Sequence, residues 1–166
     1  MSKKRSLAIA LALVLGSATW TFAQSTGGSL TAQDYAEIQQ LYARYNFIID
    51  AGDAEGYAAL YTPDGSFNTF SGRDGLLTFM KGRTAQNQRH WNTNLMITPS
   101  PEGATGAVYL MLIDVGVNPP VIRTAAKYAD VLVKTPQGWR FKKRQTSRDG
   151  VPPATSAAPA PAAPRP

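Results

Sequence analysis

The chain has 166 residues, of which 43% are hydrophobic and 17% are charged, a composition typical of globular proteins. Once two terminal segments are set aside, about 120 residues remain (30–149), enough for one hydrophobic core and too few for two. Multi-domain enzymes and long repeat arrays are therefore excluded. The chain has no cysteine, which excludes disulfides, thiolate zinc sites, a cysteine nucleophile and a lipoprotein anchor.

Residues 1–23 have the pattern of an export signal. A basic segment, residues 3–5, precedes the apolar run Leu7–Leu15, which is too short to span the ~30 Å hydrocarbon core of a bilayer. A Thr-Phe-Ala triplet then places small residues at positions −3 and −1 of a cleavage site after residue 23. We predict a cleaved signal peptide, a linker over 24–29, a periplasmic or secreted location, and no stable membrane insertion of the mature protein.

The net charge of the full chain is +6, and without the three basic residues of the signal 14 Lys and Arg remain against 11 Asp and Glu, or +3. Five of those 14 lie between residues 140 and 148. Such a patch could attract an anionic ligand or nucleic acid. Because no base-stacking motif accompanies it, we expect a solvated last strand and no nucleic-acid partner.

Residues 150–166, with six prolines and six alanines, predict an extended tail without fixed structure.

The first half of the remaining chain predicts helices. A capping-box pattern at Thr31–Asp34 precedes apolar residues that recur at helical spacing, which predicts a helix over about 32–50 that ends at Gly52. A second short helix follows Asp53, and then come a turn at 62–65, a short strand over 66–70 and a third helix from residue 72.

The second half predicts strands. Four β-rich runs are separated by Pro- and Gly-containing turn signals, and they cover 90–98, 105–117, 121–135 and 139–146. Because no later helix is available for parallel crossovers, these strands must pair as an antiparallel meander. The order of elements predicts an α+β fold, a cone-shaped barrel with N-terminal helices packed on a curved, mainly antiparallel sheet. The open end of such a cone is a natural ligand pocket.

Four polar positions in this plan could carry chemistry. His90 is the only histidine, so any imidazole acid–base catalysis must use it, and strand alternation places Asn92 and Asn94 on its face, either in a pocket or at an exposed rim. Asp114 interrupts an apolar strand, so it either meets solvent at the strand end or lines the pocket with a raised pKa. Tyr45 and Asp50 could both border a pocket, or could be a core aromatic and a helix-end residue.

At this point the residues resemble those of the SnoaL-like branch of the nuclear transport factor 2-like superfamily over about 30–146. The motifs that carry the resemblance are Ile38-x2-Leu41-x3-Tyr45-x4-Asp50-x2-Asp53, Leu60-Tyr61-x2-Asp64-Gly65-x-Phe67, Gly72-Arg73, Arg89-His90-x3-Asn94, Gly106-Ala107-x-Tyr109, Tyr128-x-Asp130-x-Leu132-Val133-Lys134 and Gly138-Trp139-Arg140.

The resemblance implies a cone-shaped α+β fold, commonly dimeric, with a deep apolar pocket. In the dehydratase members a Tyr and an Asp of the first helix work with a His on the first long strand, which implies catalytic roles for Tyr45, Asp50 and His90. Related enzymes also carry an acidic group at the strand of Asp114. A second histidine of the family is missing on the later strand, where residues 125–127 are Ala-Ala-Lys.

Further residues are expected to contact the ligand. The resemblance points to an arginine on the last strand, Arg144, whose alternative is a solvent-facing basic residue. We add Tyr42, Asn94 and Tyr128 as ligand-binding candidates.

We expect an exported, cofactor-independent dehydratase or isomerase that acts on an apolar small molecule by His/Asp/Tyr proton transfer. One histidine, no cysteine and scattered carboxylates predict no metal site, and no phosphate-binding glycine loop or serine nucleophile elbow occurs. The same fold can instead serve as a non-catalytic small-molecule binding domain or as a dimerisation domain. A homodimer is expected in each case.

Overall fold

The computed structural model describes residues 29–83 and 87–150. The predicted signal peptide, nearly all of the linker and the tail after Gly150 lie outside these residues. Among the described residues, no helix combines the length and the apolar character needed to cross a membrane.

Three helices occupy the predicted places. Helix α1 (Ala32–Ala51) begins with a capping box, because the Thr31 hydroxyl accepts a hydrogen bond from the backbone of Asp34 while the Asp34 carboxylate accepts one from the backbone of Thr31. Helix α1 ends at Gly52, which has a left-handed φ of 72°. Helix α2 (Ala54–Ala59) is capped by the Asp53 side chain, and helix α3 covers Gly72–Lys81.

Six strands form one mixed, mostly antiparallel sheet. They are β1 (Tyr61–Phe67), β2 (Phe70–Ser71), β3 (Gln88–Ser100), β4 (Gly103–Asp114), β5 (Val121–Thr135) and β6 (Gly138–Arg148). Their order is β2-β1-β6-β5-β4-β3, and the sheet is curved but not closed. Strands β3 to β6 form the predicted antiparallel meander, while β1 pairs with β6 in parallel. The α+β prediction, with helices on a curved and mainly antiparallel sheet, is confirmed.

The prediction of a turn at 62–65 is wrong, because this segment is a bulged part of β1. Between Tyr61 and Ser66 strand β1 advances five residues, while its partner β6 advances only from Phe141 to Lys143. The extra residues leave the hydrogen-bonded ladder locally, and the Thr62 hydroxyl bonds to the Asp64 carboxylate within the bulge at 2.8 Å.

The prediction that His90, Asn92 and Asn94 share one face of β3 is correct for His90 and Asn92 and wrong for Asn94. Asn94 has a φ of 57°, and the register with β4 shifts between Thr93 and Met96. This bulge reverses the alternation, so Leu95 and Ile97 pack against the core while Met96 is 67% exposed. His90 and Asn92 still point inward, but Asn94 is exposed to solvent.

A buried ion pair lies at the centre of the core. Asp130 on β5 and Arg144 on β6 are register partners, and neither side chain is exposed. Two parallel hydrogen bonds join them, from Arg144 Nε to Oδ1 at 2.8 Å and from Nη2 to Oδ2 at 2.7 Å. The guanidinium carbon lies 4.0–4.8 Å from the ring centroids of four aromatic residues, Tyr42, Tyr45, Tyr128 and Phe141.

Helix α1 is joined to this ion pair by Tyr42, whose buried hydroxyl donates a hydrogen bond to Asp130. Gly106, the β4 register partner of Asp130, permits this approach, because a Cβ there would collide with the Tyr42 hydroxyl. Near the start of α1, the Asp34 carboxylate accepts hydrogen bonds from Lys134 Nζ at 2.7 Å and Trp139 Nε1 at 3.0 Å. The bonds from Lys134 and Thr31 hold the pKa of Asp34 well below its usual range. Helix α1 is thus fixed to the sheet at two points.

The ion pair leads to a prediction about stability. Replacement of Asp130 by Asn leaves the Arg144 charge buried without a counter-charge, and we expect the free energy of unfolding to fall by about 3–5 kcal/mol. Urea denaturation measures this loss. The matched control is Asp114→Asn, which breaks the half-exposed pair with Arg123 (2.8 Å), and should change the free energy of unfolding by at most about 1 kcal/mol. Equal losses for the two variants would contradict the assignment.

Candidate active site

A hydrogen-bonded Asp–His pair joins helix α1 to the sheet. Asp50 lies in the last turn of α1, and His90 is the third residue of β3. The Nδ1 atom of His90 lies 2.6 Å from Asp50 Oδ1, and the backbone N–H of His90 points at the same carboxylate with N–O distances of 3.1 and 3.2 Å. The two side chains are only 4% and 12% exposed, His90 and Asp50 respectively. The carboxylate therefore fixes the orientation of the ring and leaves Nε2 as the nitrogen for proton transfer.

The position of Asp50 is unusual for a structural carboxylate. The last turn of a helix carries a partial negative charge, so an acidic side chain is unfavourable there, and α1 has no basic residue in that turn. The backbone and ring donors of His90 provide the compensation. The Asp50–His90 pair is thus a specific arrangement, in which a carboxylate at an unfavourable helix position is held by the backbone N–H and the ring of one histidine.

Of the two alternatives that the sequence left open for Tyr45, the structure supports the core aromatic, because Tyr45 lines neither of the two cavities described below. It is fully buried in the aromatic core around Arg144, and its ring also meets the His90 ring edge-to-face with centroids 6.3 Å apart. Its hydroxyl lies 3.5 Å from the hydroxyl of Tyr128. Tyr45 therefore supports the imidazole from the core side.

The pair borders a surface groove, which we call the edge groove. It has a volume of about 790 Å³ and lies between α1 and the edge strand β3. Its lining includes Asn46, Phe47, Asp50, His90, Trp91, Asn92 and Met111. Both amide atoms of Asn92 and the amide oxygen of Asn46 are buried without a hydrogen-bond partner among the described residues. The groove therefore offers polar groups close to the pair.

A second cavity, which we call the cone pocket, lies on the concave face of the sheet. It has a volume of about 680 Å³, and six of its twelve lining residues are apolar or aromatic. These are Phe67, Phe79, Leu110, Leu112, Ala126 and Tyr128. Leu112 is the cross-strand register partner of His90, and paired residues lie on the same face of a sheet. His90 therefore neighbours one lining residue of the cone pocket, while His90 itself lines the edge groove.

Asp114 does not join the other predicted catalytic residues. Its carboxylate accepts hydrogen bonds from the Arg123 side chain at 2.8 Å and from the backbone of Gly116 at 2.9 Å, at the end of β4. These contacts lower the pKa of Asp114, whereas a pocket acid would need a raised value. The expectation that Asp114 lines the pocket is therefore wrong, and the alternative of a strand-end residue is correct.

The four predicted ligand-binding residues have different positions. Tyr42 and Arg144 are buried in the core ion-pair cluster and line neither cavity, so the structure contradicts their placement in the pocket. Asn94 is displaced to the outside by the bulge in β3. Tyr128 does line the cone pocket, and burial raises the pKa of its hydroxyl well above the usual range. Its contact with a ligand stays a prediction.

The sequence analysis assigned no site role to Arg83, which lines the cone pocket from the end of α3. Asp130 appeared only within a family motif. A signal for Asp130 was available, because residues 128, 130 and 132 share one face of β5 and their neighbours Tyr128 and Leu132 are core residues. A carboxylate on that face requires a buried cation.

The fold is shared with several solved structures. Helices on a curved open sheet also occur in an NTF2-like protein with a cystatin-like fold from Novosphingobium aromaticivorans, at a TM-score of 0.66 and 25% identity over 72% of this chain and 84% of that chain. ActVI-ORFA from Streptomyces coelicolor matches at a TM-score of 0.65 and 26% identity, over 74% of this chain and 99% of that chain. A protein described as a putative scytalone dehydratase from N. aromaticivorans matches at a TM-score of 0.60 and 24% identity, over 70% of this chain and 84% of that chain. This match shows the fold alone.

The family is shown by sequence. The profile of the SnoaL-like domain matches residues 30–145, and the chain belongs to this family. Among curated proteins, none matches the chain.

Proposed function

We propose that the protein is an exported, cofactor-independent dehydratase or isomerase that binds a small apolar molecule in the cone pocket. The observation that carries this proposal is the Asp50–His90 pair, which is joined at 2.6 Å, is nearly buried, and neighbours Leu112, a lining residue of the cone pocket. A binding protein needs no oriented imidazole, whereas proton transfer depends on one. The described residues contain no group of three or more His, Asp or Glu side chains that could hold a metal ion.

The chemistry assigns one step to each group. Nε2 of His90 takes a proton from carbon next to a carbonyl, and the electron pair of the broken C–H bond forms the new double bond. In a dehydration the C–O bond breaks, and the departing oxygen takes the proton back from Nε2 and leaves as water. In an isomerisation the proton returns to another carbon. Asp50 accepts the Nδ1 hydrogen bond throughout and stabilises the imidazolium that forms between the two transfers.

We assign assistance at the oxygen to the Tyr128 hydroxyl. Tyr128 lines the cone pocket, and its hydroxyl lies 3.5 Å from the hydroxyl of Tyr45. Because burial raises the pKa of Tyr128, the hydroxyl stays protonated and can donate a hydrogen bond to a developing negative charge. Asp114, which the sequence analysis considered as a pocket acid, has no part in this step.

The first test measures proton abstraction directly. The wild-type protein should accelerate the exchange of the α-hydrogens of 1-tetralone, a bicyclic aromatic ketone, in D2O, followed by mass spectrometry. His90→Ala should reduce the protein-dependent rate by about 10²-fold or more, because no other histidine is available. Asp50→Asn should lose at least about tenfold in rate while the Kd of tetralone changes little, since orientation is what the carboxylate supplies.

The matched control for Asp50→Asn is Asp53→Asn, which changes a carboxylate three residues away that caps α2 and does not contact His90. This control should retain the exchange rate. Full exchange in His90→Ala would remove the mechanism. Tetralone binding without any exchange in the wild-type protein would favour the non-catalytic binding domain.

A homodimer belongs to the same proposal. Trp91, Met96 and Tyr109 expose large apolar side chains on the outer face of β3 and β4, at 57%, 67% and 46% exposure. Such surfaces are typical of interfaces. We expect a dimer in sedimentation experiments, and Tyr109→Glu should shift it towards monomer. Gln137→Glu, in the exposed β5–β6 turn, is the control and should leave the dimer intact. A monomeric wild-type protein at about 50 μM would contradict the proposal, given that obligate dimers bury large interfaces.

Export is the third part of the proposal. When the full chain is expressed with its own leader in a bacterium with two membranes, the protein recovered from the periplasm should begin near Gln24. Intact-mass spectrometry measures this terminus. Recovery of the full-length chain, with Met1, from the membrane fraction would be inconsistent with a cleaved signal.

A further inference from the structure

We propose that the molecule bound in the cone pocket is an anion, with an aromatic or aliphatic body and a carboxylate held by Arg83 and Arg148. The inference rests on the proposed function, in that it names the class of molecule that the cone pocket of that proposal accepts.

The charge of the cone pocket supports this inference. Arg83, next to the end of α3, and Arg148, at the end of β6, both line the pocket, and no Asp or Glu does. Neither arginine forms an ion pair within the described residues. Two uncompensated guanidinium groups beside an apolar wall create a positive potential that attracts a negative group. The planar guanidinium also matches a carboxylate in geometry.

No Asp or Glu side chain of the described residues forms an ion pair with Arg83 or Arg148. All 11 Asp and Glu residues lie in the described part of the chain, because residues 1–28, 84–86 and 151–166 contain none. The six carboxylates in contact with Lys or Arg engage other basic residues, such as Arg73, Arg123 and Lys134. An anionic ligand is therefore the natural partner of the two arginines.

A polar group in the same part of the pocket supports the inference independently. Thr146 lines the cone pocket, and its hydroxyl is buried without a hydrogen-bond partner among the described residues. The backbone N–H of Thr146 is satisfied by the Asn68 side chain at 2.9 Å. Because a buried hydroxyl without a partner is costly, a ligand oxygen that accepts its hydrogen bond would remove the cost.

The register of the sheet sets the size of the molecule. Arg148, Ala126, Leu110 and Asn92 form one row of cross-strand partners from β6 to β3, and His90 lies next to this row on the same face. Three strand spacings separate the ends of the row, roughly 14 Å along the sheet. Part of this span is taken by the arginine side chain. The remainder suits a bicyclic body, with the carboxylate at β6 and the reacting carbon at the imidazole.

The test compares two probes that differ only in charge, 2-naphthoate and 2-naphthamide, by calorimetric titration at low salt. We expect 2-naphthoate to bind at least tenfold more tightly than the amide. Arg83→Gln and Arg148→Gln should each weaken 2-naphthoate at least fivefold and leave 2-naphthamide within twofold. Arg123→Gln, which changes an arginine paired with Asp114 outside the cone pocket, is the matched control and should leave both affinities unchanged.

A second pair of variants locates the site. Thr124→Trp places a bulky side chain in the cone pocket, and Ala43→Trp places the same side chain in the edge groove. Thr124→Trp should abolish the binding of both probes, and Ala43→Trp should not. Four outcomes would overturn the inference. The first two are equal affinity for the two probes and no binding of 2-naphthoate up to about 1 mM. The others are equal losses for both probes in the arginine variants and loss of binding in Ala43→Trp.

The outcome is separable from that of the proposed function. Binding of 2-naphthoate needs no imidazole, so His90→Ala should retain it. If the arginines select the anion but tetralone exchange is absent, the proposed catalysis fails and the anion site stands. If exchange depends on His90 but the probes bind equally, the anion site fails and the catalysis stands.

Discussion

The buried ion pair between Arg144 and Asp130 is the constraint on which the rest of the structure depends. Removal of two charges from water is costly, and the cost is offset only by near-ideal geometry and by further polar contacts. The bidentate bonds fix β5 against β6, and the Tyr42 hydroxyl adds α1 to the same carboxylate. Since Asp34 fixes the start of α1 to Lys134 and Trp139, the helix has little freedom along its axis. Asp50 at its far end is thereby placed against His90.

Local sequence signals predicted the elements that local physics determines. The capping box at Thr31–Asp34, the helical spacing of apolar residues and the turn signals between the late strands were sufficient for α1 and for the meander. His90 and Asp50 were predicted as partners through the family resemblance, and the structure brings them to 2.6 Å. The two bulges, at 62–65 and at Asn94, were not predicted. A bulge depends on the partner strand, which no local pattern reports.

The charged strand residues show a second limit of sequence reasoning. A single charge within an apolar strand indicates either a strand end or a buried partner, and the partner is distant along the chain. Arg144 was predicted as a ligand contact, but it pairs in the core with Asp130, which lies 14 residues earlier in the chain. Asp114 looked like a pocket acid, but Arg123, nine residues later, holds it at the surface. In both cases the pairing across the sheet determines the role, and the sequence of one strand does not contain it.

The pairing of Arg144 affects the electrostatic field in the cone pocket. Arg144 is neutralised by Asp130 inside the aromatic cluster, so it contributes little to the field in the cone pocket despite lying close to Tyr128. The cations that line the pocket are Arg83 and Arg148, and neither forms an ion pair within the described residues. A substrate anchored by them would keep its own negative charge away from the Asp50 carboxylate, across the width of the sheet. In the proposed mechanism, proton abstraction creates a second negative charge on the substrate, next to an imidazole that has just become positive. The separation of Arg83 and Arg148 from His90 then favours both binding and reaction, because each negative charge of the proposed substrate has its own compensating group.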